Sequence, residues 1–223
     1  ILAAALQDYD RAVIAGNRTF GKGSIQSILE LDHFLPLDLG GLKPLGSMKL
    51  TIQQFYRVTG EPIQYHGVAP DITLPDPYGY IEAGERTLKH ALPEERLASL
   101  EYQKWERPAD LDGIKAKSSQ RVAVNQSFQQ IGEYVEKINK ERQETRQSLH
   151  LAEIYRQQQK RRDELNRFAE AQASAEILLE VSELEGDNAL PEDKLQEWYN
   201  QIRKDAIIGE AVQILADLLA ASF

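Results

Sequence analysis

Glycine and proline divide this 223-residue chain into two unlike parts, and that division limits its fold more than any other feature. From Gly16 to Pro75 the breakers come in quick succession, with Pro36, Gly40-Gly41, Pro44, Gly46, Gly60, Pro62, Gly67 and Pro70 among them. No long helix survives such punctuation, because glycine is entropically costly inside a helix and proline lacks the amide donor a helix needs. From Ser118 onward apolar residues recur instead at helical intervals, as in Val122, Phe128, Ile131, Val135 and Ile138, on a charged background. The expectation is an α+β chain: a mixed α/β part over residues 1–76, a connecting segment over 77–112 cut by Gly79, Gly84, Pro93 and Pro108, and a mostly helical domain over 113–223.

Local patterns refine this outline. Ile1 to Tyr9 reads as the interior of a helix, with strong helix formers and apolar residues at 1, 2, 5, 6 and 9, yet nothing ahead of it supplies a cap. With no initiator methionine and no signal peptide, this uncapped start leads us to expect a piece of a longer protein. Arg11 to Gly16 is a short strand-like apolar run. Met48 to Ile52 alternates strictly and predicts a half-buried strand, continuing through Phe55 to Val58 into a turn at Gly60-Glu61-Pro62, with Ile63-Gln64-Tyr65 as its returning hairpin partner. Gly67 to Pro75 is extended and restricted by its prolines. Tyr102 and Trp105 are the expected aromatic anchors of the connecting segment. Ser148 is placed to cap a helix with Leu151, Ile154 and Tyr155 inward, and Gly186-Asp187-Asn188 with Pro191 interrupts the helical region. A last amphipathic helix over 206–219 bears Ile207, Ile208, Val212, Ile214, Leu215 and Leu218.

Composition removes several chemistries. The chain has no cysteine, which excludes disulfides, thiolate catalysis and cysteine-based zinc sites within it. The four histidines, at 33, 66, 90 and 150, show no spacing suited to a shared metal ion. No apolar run approaches the roughly 18 residues that span a bilayer. A net charge of −9 argues against backbone attraction to nucleic acid. That charge is uneven: residues 115–170 hold twelve basic and eight acidic side chains, and residues 171–223 hold three basic and eleven acidic. Such asymmetry fits two solvated helical faces attracting one another, or a basic surface that docks a partner. Glu94-Glu95 and Glu192-Asp193 stand beside prolines at expected helix starts, where a carboxylate complements the helix dipole.

The chemistry concentrates at Gly16-Asn17-Arg18-Thr19-Phe20-Gly21-Lys22-Gly23-Ser24. Its spacing up to Lys22 suits a phosphate loop, but such a loop needs a hydroxyl directly after the lysine and a helix beyond it. Here Gly23 follows the lysine, and Ile25 to Leu31 runs soon into Pro36. A lysine between two glycines has other uses: an exposed loop charge, a phosphate ligand, or a base. An ordinary lysine, with a pKa of about 10.4, is a poor base near neutrality, and burial lowers that value by disfavouring the ammonium. A neutral lysine can then take the proton of a serine hydroxyl, with Phe20 as the expected apolar wall beside Lys22.

Residues 3–26, A-A-A-L-Q-D-Y-D-R-A-V-I-A-G-N-R-T-F-G-K-G-S-I-Q, closely resemble the active-site segment of the C-terminal processing peptidases, and specifically the tail-specific proteases of Gram-negative bacteria. In that family the lysine of T-F-G-K-G-[ST]-x-Q is the general base, which the resemblance places on Lys22. The motif's glutamine falls on Gln26, in the same active site, and Asp8 of the Q-D-Y segment takes an active-site or supporting role. The resemblance puts the nucleophilic serine four residues ahead of Ile1, at the start of an S-A-S-E-[IL] motif whose last residue is Ile1. An oxyanion-hole glycine and a PDZ-like peptide-binding region are expected farther upstream. Met48 to Ile52, Gly60-Glu61-Pro62 and G-V-A-P-D-I at 67–72 resemble the family's closing core segments in order, which makes residues 1–76 the C-terminal half of the peptidase core. His90 to Pro93 and the helical remainder resemble the C-terminal extension of tail-specific proteases.

The resemblance implies a periplasmic serine endopeptidase that engages proteins through nonpolar C-terminal tails and cleaves them with a Ser-Lys dyad, without cofactor or metal. The chain alone, carrying Lys22 and not the serine, is expected to be inactive. Its expected partners are protein substrates with nonpolar C-termini, an adaptor protein and the inner membrane as a peripheral surface, with no nucleic acid. The alternative from another class is a non-catalytic helical interaction module over 118–223 that docks an adaptor or subunit.

Overall fold

The computed structural model describes residues 1–36, 41–106, 110–146, 148–173, 177–182 and 191–221, with side chains omitted at 171–173. The breaks expected at Gly40, Pro108 and Gly186-Asp187-Asn188 lie outside the described residues. The fold is α+β, with six helices and four short strands among the described residues. It divides into two compact units, the first formed by Ile1–Ile14, Arg18–Pro70 and Glu82–Arg107, the second by Ala15–Asn17, Asp71–Ile81 and Pro108–Phe223.

In the first unit, helix α1 (Leu2–Asp8) buries Ala4 and Asp8. Ala4 meets Ile63 and Val68 in a small core, with Ala3 and Phe55 packed against it. Strands β2 (Ser24–Glu30) and β3 (Ser47–Gln54) pair antiparallel, from Ser24 opposite Gln54 to Glu30 opposite Ser47. A bulge interrupts the register: Ile25 faces Gln53 and Gln26 faces Thr51, leaving Ile52 as the extra residue. The hairpin partner expected at Ile63-Gln64-Tyr65 is therefore corrected. Strand β3 ends at Gln54 and takes β2 as its partner, and the 55–65 segment forms only an isolated bridge between Tyr56 and Pro62.

Segment 82–106 lies along the same unit as extended chain. Leu97 N donates to Gly60 O at 3.0 Å, Leu100 N to Val58 O at 2.9 Å, and Trp105 N to Tyr9 O at 3.0 Å. The anchoring expected of its aromatics is seen here: Tyr102 meets Tyr9 edge-on with centroids 5.5 Å apart, and the Arg11 guanidinium sits 4.2 Å above the Trp105 ring. No helix starts at Glu94-Glu95, contrary to expectation; Glu94 instead contacts His66.

In the second unit, β1 (Ala15–Gly16) pairs parallel with β4 (Ile72–Thr73), so the strand read over 11–16 is only two residues long. Helices α2 (Leu111–Val124) and α3 (Gln126–Gln143) meet at Asn125, whose side chain accepts from Phe128 N at 3.2 Å and caps α3. Helix α2 begins at Leu111, ahead of Ser118, where the apolar period becomes readable. Phe128 and Ile131 are buried as the stripe implies. Helix α4 (Leu151–Ala173) stacks Phe168 on Tyr134, with ring centroids 4.3 Å apart, and Lys137 pairs with Glu164 at 2.7 Å. Its expected inward residues are corrected: Leu151 and Tyr155 are exposed, and the Ser148 hydroxyl accepts from His150 N rather than from an amide inside the helix.

Helix α5 (Glu192–Lys204) carries Glu192 and Asp193 in its first turn and Arg203 and Lys204 in its last, the order the helix dipole favours. Helix α6 (Ala206–Ala220) is capped by Asp205, which accepts from Ile207 N at 2.8 Å and Ile208 N at 3.0 Å. Its buried stripe is Ala206, Gly209, Glu210 and Ile214, while Ile207, Ile208, Val212 and Leu215 are exposed. The stripe is set by α2: Arg121 donates to both oxygens of the buried Glu210 and, at 2.7 Å, to Asp217.

Candidate active site

Lys22 stands on a loop whose course is fixed by its neighbours. Gly21 and Gly23 are buried on either side of it, and Lys22 itself is exposed. Gly21 has φ +88°, in the left-handed region, and a Cβ there would lie 2.8 Å from Gly67 N. A Cβ on Gly23 would lie 2.4 Å from Gln64 N, nearer than any real contact permits. The glycines thus let the lysine loop press directly against the backbone of residues 64–67.

That backbone is a turn, with His66 N donating to Gln64 O at 2.9 Å and Gly67 N to Ile63 O at 2.9 Å. Tyr65 has φ +74°, unusual for a bulky residue, and its amide donates to Gly21 O at 2.8 Å. On one side, Thr19 N donates to Val68 O at 3.0 Å while Val68 N returns a bond to Thr19 Oγ1 at 2.8 Å. On the other, Phe55 N donates to Gly23 O at 2.9 Å, which leads the chain into the β2–β3 pair. Backbone groups of residues 19, 21 and 23 are thus tied on either side of the lysine.

The three residues singled out from the sequence occupy this unit but different settings. The Lys22 ammonium donates to Ser24 O at 3.2 Å. Gln26 lies on β2 beside the bulge, exposed, with its amide 3.4 Å from Thr51 Oγ1. Asp8, buried at the end of α1, accepts from Arg57 Nε at 2.9 and 3.0 Å and from Arg57 Nη2, and Gln7 Oε1 also accepts from Nη2 at 2.9 Å. This fork holds α1 to the 55–60 segment. The hydrogen bonds to Asp8 raise the Arg57 guanidinium above its ordinary value against the opposing pull of burial. Phe20, expected to wall in the amine, is 51% exposed, and its carbonyl accepts from Glu85 N at 2.8 Å.

Sequence reasoning missed Arg57, Gln64 and Glu85. Arg57 looked like one more residue of a strand. Gln64 is 2% exposed, and its amide bridges three groups: Oε1 accepts from Gly23 N at 2.8 Å, while Nε2 donates to Glu85 Oε1 at 3.0 Å and to Leu92 O at 3.4 Å. Nothing in I-Q-Y-H-G announces that bridge, since its partners lie 41, 21 and 28 residues away.

Comparison with known proteins identifies the family of both parts of the chain. Residues 1–74 match peptidase family S41, and residues 78–220 match the family described as the C-terminal domain of tail specific protease (DUF3340). The chain is 33% identical to a tail-specific protease of Haemophilus influenzae over 98% of its own length and 30% of the relative's. It is 39% identical to a carboxy-terminal-processing protease of Bartonella bacilliformis over 40% of the chain, and 38% identical to a carboxyl-terminal-processing protease of Picosynechococcus over 39% of it. It spans 19% of each of those two relatives. The chain therefore belongs to the tail-specific proteases, with a peptidase-family segment that carries Lys22 and the family's own C-terminal domain behind it.

Proposed function

We propose that the chain is the base-bearing part of a periplasmic serine-type endopeptidase that engages proteins through nonpolar C-terminal tails and cleaves them with a Ser-Lys dyad. The observation that carries this reading is Lys22, presented on a glycine-flanked loop clamped by backbone hydrogen bonds inside the segment that matches a peptidase family. In the proposed reaction the neutral Lys22 amine accepts the proton of a serine hydroxyl as the oxygen attacks the scissile carbonyl. The resulting ammonium then returns a proton to the leaving amine, so the first half-reaction closes on an acyl-enzyme with the base restored. Lys22 is exposed in this chain, and its use as a base requires that the amine be desolvated when the substrate is engaged. Gln26 is assigned to the same site. Asp8 acts through Arg57, as a support of α1.

The reading is tested in the longer protease with a peptide that ends in a nonpolar tail. Lys22→Ala is expected to lower kcat by about 10²–10⁴-fold, the usual contribution of a general base, and undiminished turnover would refute it. The 223-residue chain alone is expected to cleave nothing; turnover that disappears on Lys22→Ala would overturn that expectation. A second reading rests on α6, whose Ile207, Ile208, Val212, Leu215 and Leu219 are exposed together on an apolar helix. Under it, the helical unit docks an adaptor or subunit, and Val212→Asp with Leu215→Asp would abolish co-purification of that partner.

A further inference from the structure

We propose that Gln64 and Glu85 are positioning residues for Lys22, through which the segment following the peptidase match holds the catalytic loop; this rests on the reading of Lys22 as the base. Three observations converge. Gly23, adjacent to Lys22, has its amide hydrogen bonded to Gln64 Oε1 at 2.8 Å, and its lack of a side chain allows the contact. Both members of the bridge are withdrawn from water, Gln64 at 2% and Glu85 at 7% exposure. Glu85 belongs to residues 78–220, the stretch that matches the tail-specific C-terminal domain, whereas Lys22 and Gln64 belong to residues 1–74.

The chemistry admits one orientation of the Gln64 amide. Gly23 N–H is a donor and must face the amide oxygen; the Glu85 carboxylate and the Leu92 carbonyl are acceptors and must face the NH₂ group. Reversal would oppose donor to donor and acceptor to acceptor at buried sites, at the full cost of leaving each unsatisfied. Gln64 therefore reads the position of Glu85 and fixes Gly23 accordingly. A second bond, from Glu85 N to Phe20 O at 2.8 Å, grips the loop on the other side of the lysine. Residues 20 and 23 are thus both tied to Glu85, one directly and one through Gln64, and Lys22 stands between them. Displacing a base by about 1 Å can cost a reaction about 10²-fold, so a clamp of this kind acts on kcat.

The test uses the full-length protease and a nonpolar-tailed peptide, with kcat and KM measured separately and folding checked by thermal unfolding. Gln64→Glu removes the donor and sets two carboxylates against each other; kcat is expected to fall about 10- to 100-fold with KM within about threefold. Glu85→Gln alone retains an oxygen able to accept from Gln64 Nε2 and is the reference against which the double variant is read. Combining Gln64→Glu with Glu85→Gln restores the bond between residues 64 and 85 with donor and acceptor exchanged and forgoes only the longer, 3.4 Å bond to Leu92 O, so most of the lost kcat is expected to return. A folded Gln64→Glu enzyme with unchanged kcat, or a loss that the double variant leaves in place, overturns the proposal. Should Gln64→Glu fail to fold, Glu85→Ala decides: kcat lowered about tenfold at unchanged KM supports the clamp, and unchanged kcat refutes it. Lys22→Ala in the same assay separates the two levels. Full turnover by Lys22→Ala sinks the base and the clamp together, while loss in Lys22→Ala beside unchanged kcat in Gln64→Glu sinks the clamp alone.

Discussion

The lysine loop and the helical unit are held by different means. Around Lys22 the contacts are chiefly backbone to backbone, made possible by glycines at 21, 23 and 67 that let two chain segments approach closer than any Cβ allows. In the helical unit the contacts are side chain to side chain: apolar stripes from Phe128, Ile131 and Ile214, and a fork from Arg121 to Glu210 and Asp217. Backbone contacts depend on the absence of atoms and tolerate no addition. Side-chain contacts depend on complementary partners and respond to what is removed.

Glycine substitutions sharpen this contrast most. Gly23→Ala would place a Cβ 2.4 Å from Gln64 N, where backbone on both sides must shift; we expect a loss of about 3 kcal/mol in urea unfolding. Retention of full stability would show that the loop is loosely held. Next in size is Arg121→Ala, which leaves Glu210 buried without its partner. Removing one member of a buried pair costs about 3–5 kcal/mol, and because the Arg121 side chain is 30% exposed we expect a smaller loss, about 2 kcal/mol, in the same measurement. A loss below about 0.5 kcal/mol would mean that the fork behaves as an ordinary surface pair.

A pH series tests the same fork more gently. Burial alone would raise the Asp217 carboxyl, but hydrogen bonds and charge from Arg121 and Lys117 outweigh it and hold the group below its ordinary value. A depressed carboxyl stabilises the fold above its unfolded pKa of about 3.9, and that contribution is lost as pH falls through the folded value. The stability difference between the chain and Asp217→Asn is therefore expected at neutral pH and should shrink as pH falls below the ordinary carboxylate range; a difference independent of pH would refute the assignment. The smallest effect carries the opposite sign. Gly132, inside α3, has open space where its Cβ would be, so Gly132→Ala is expected to stabilise by about 0.5–1 kcal/mol. A loss there would remove the contrast with Gly23.

The two regions also differed in how far the sequence could be read. The lysine loop was legible because its glycines, its lysine and its glutamine are close together in the chain. The hairpin was misassigned for a related reason: Ile63 to Tyr65 follows a turn and alternates suitably, but it is drawn against Gly21 and Gly23 instead, and β3 takes the strand that leaves the lysine loop. On α6, Ile207, Ile208, Val212, Ile214 and Leu215 lie on more than one face, so the apolar period could not choose which face is buried. A charged residue chose it, since Glu210 follows Arg121 inward.

By itself the sequence determined a turn-rich stretch followed by helices, and the peptidase-family segment in which Lys22 lies. Those features depend on residues within a few places of one another, where steric and helical preferences act directly on the local chain. Only the tertiary structure decided that Asp8 is occupied by Arg57, that α6 turns Glu210 inward, and that Gln64 ties the lysine loop to Glu85. Each of these is a buried polar group seeking a partner tens of residues away, and such a partner is chosen by the folded path of the chain, which no local pattern records.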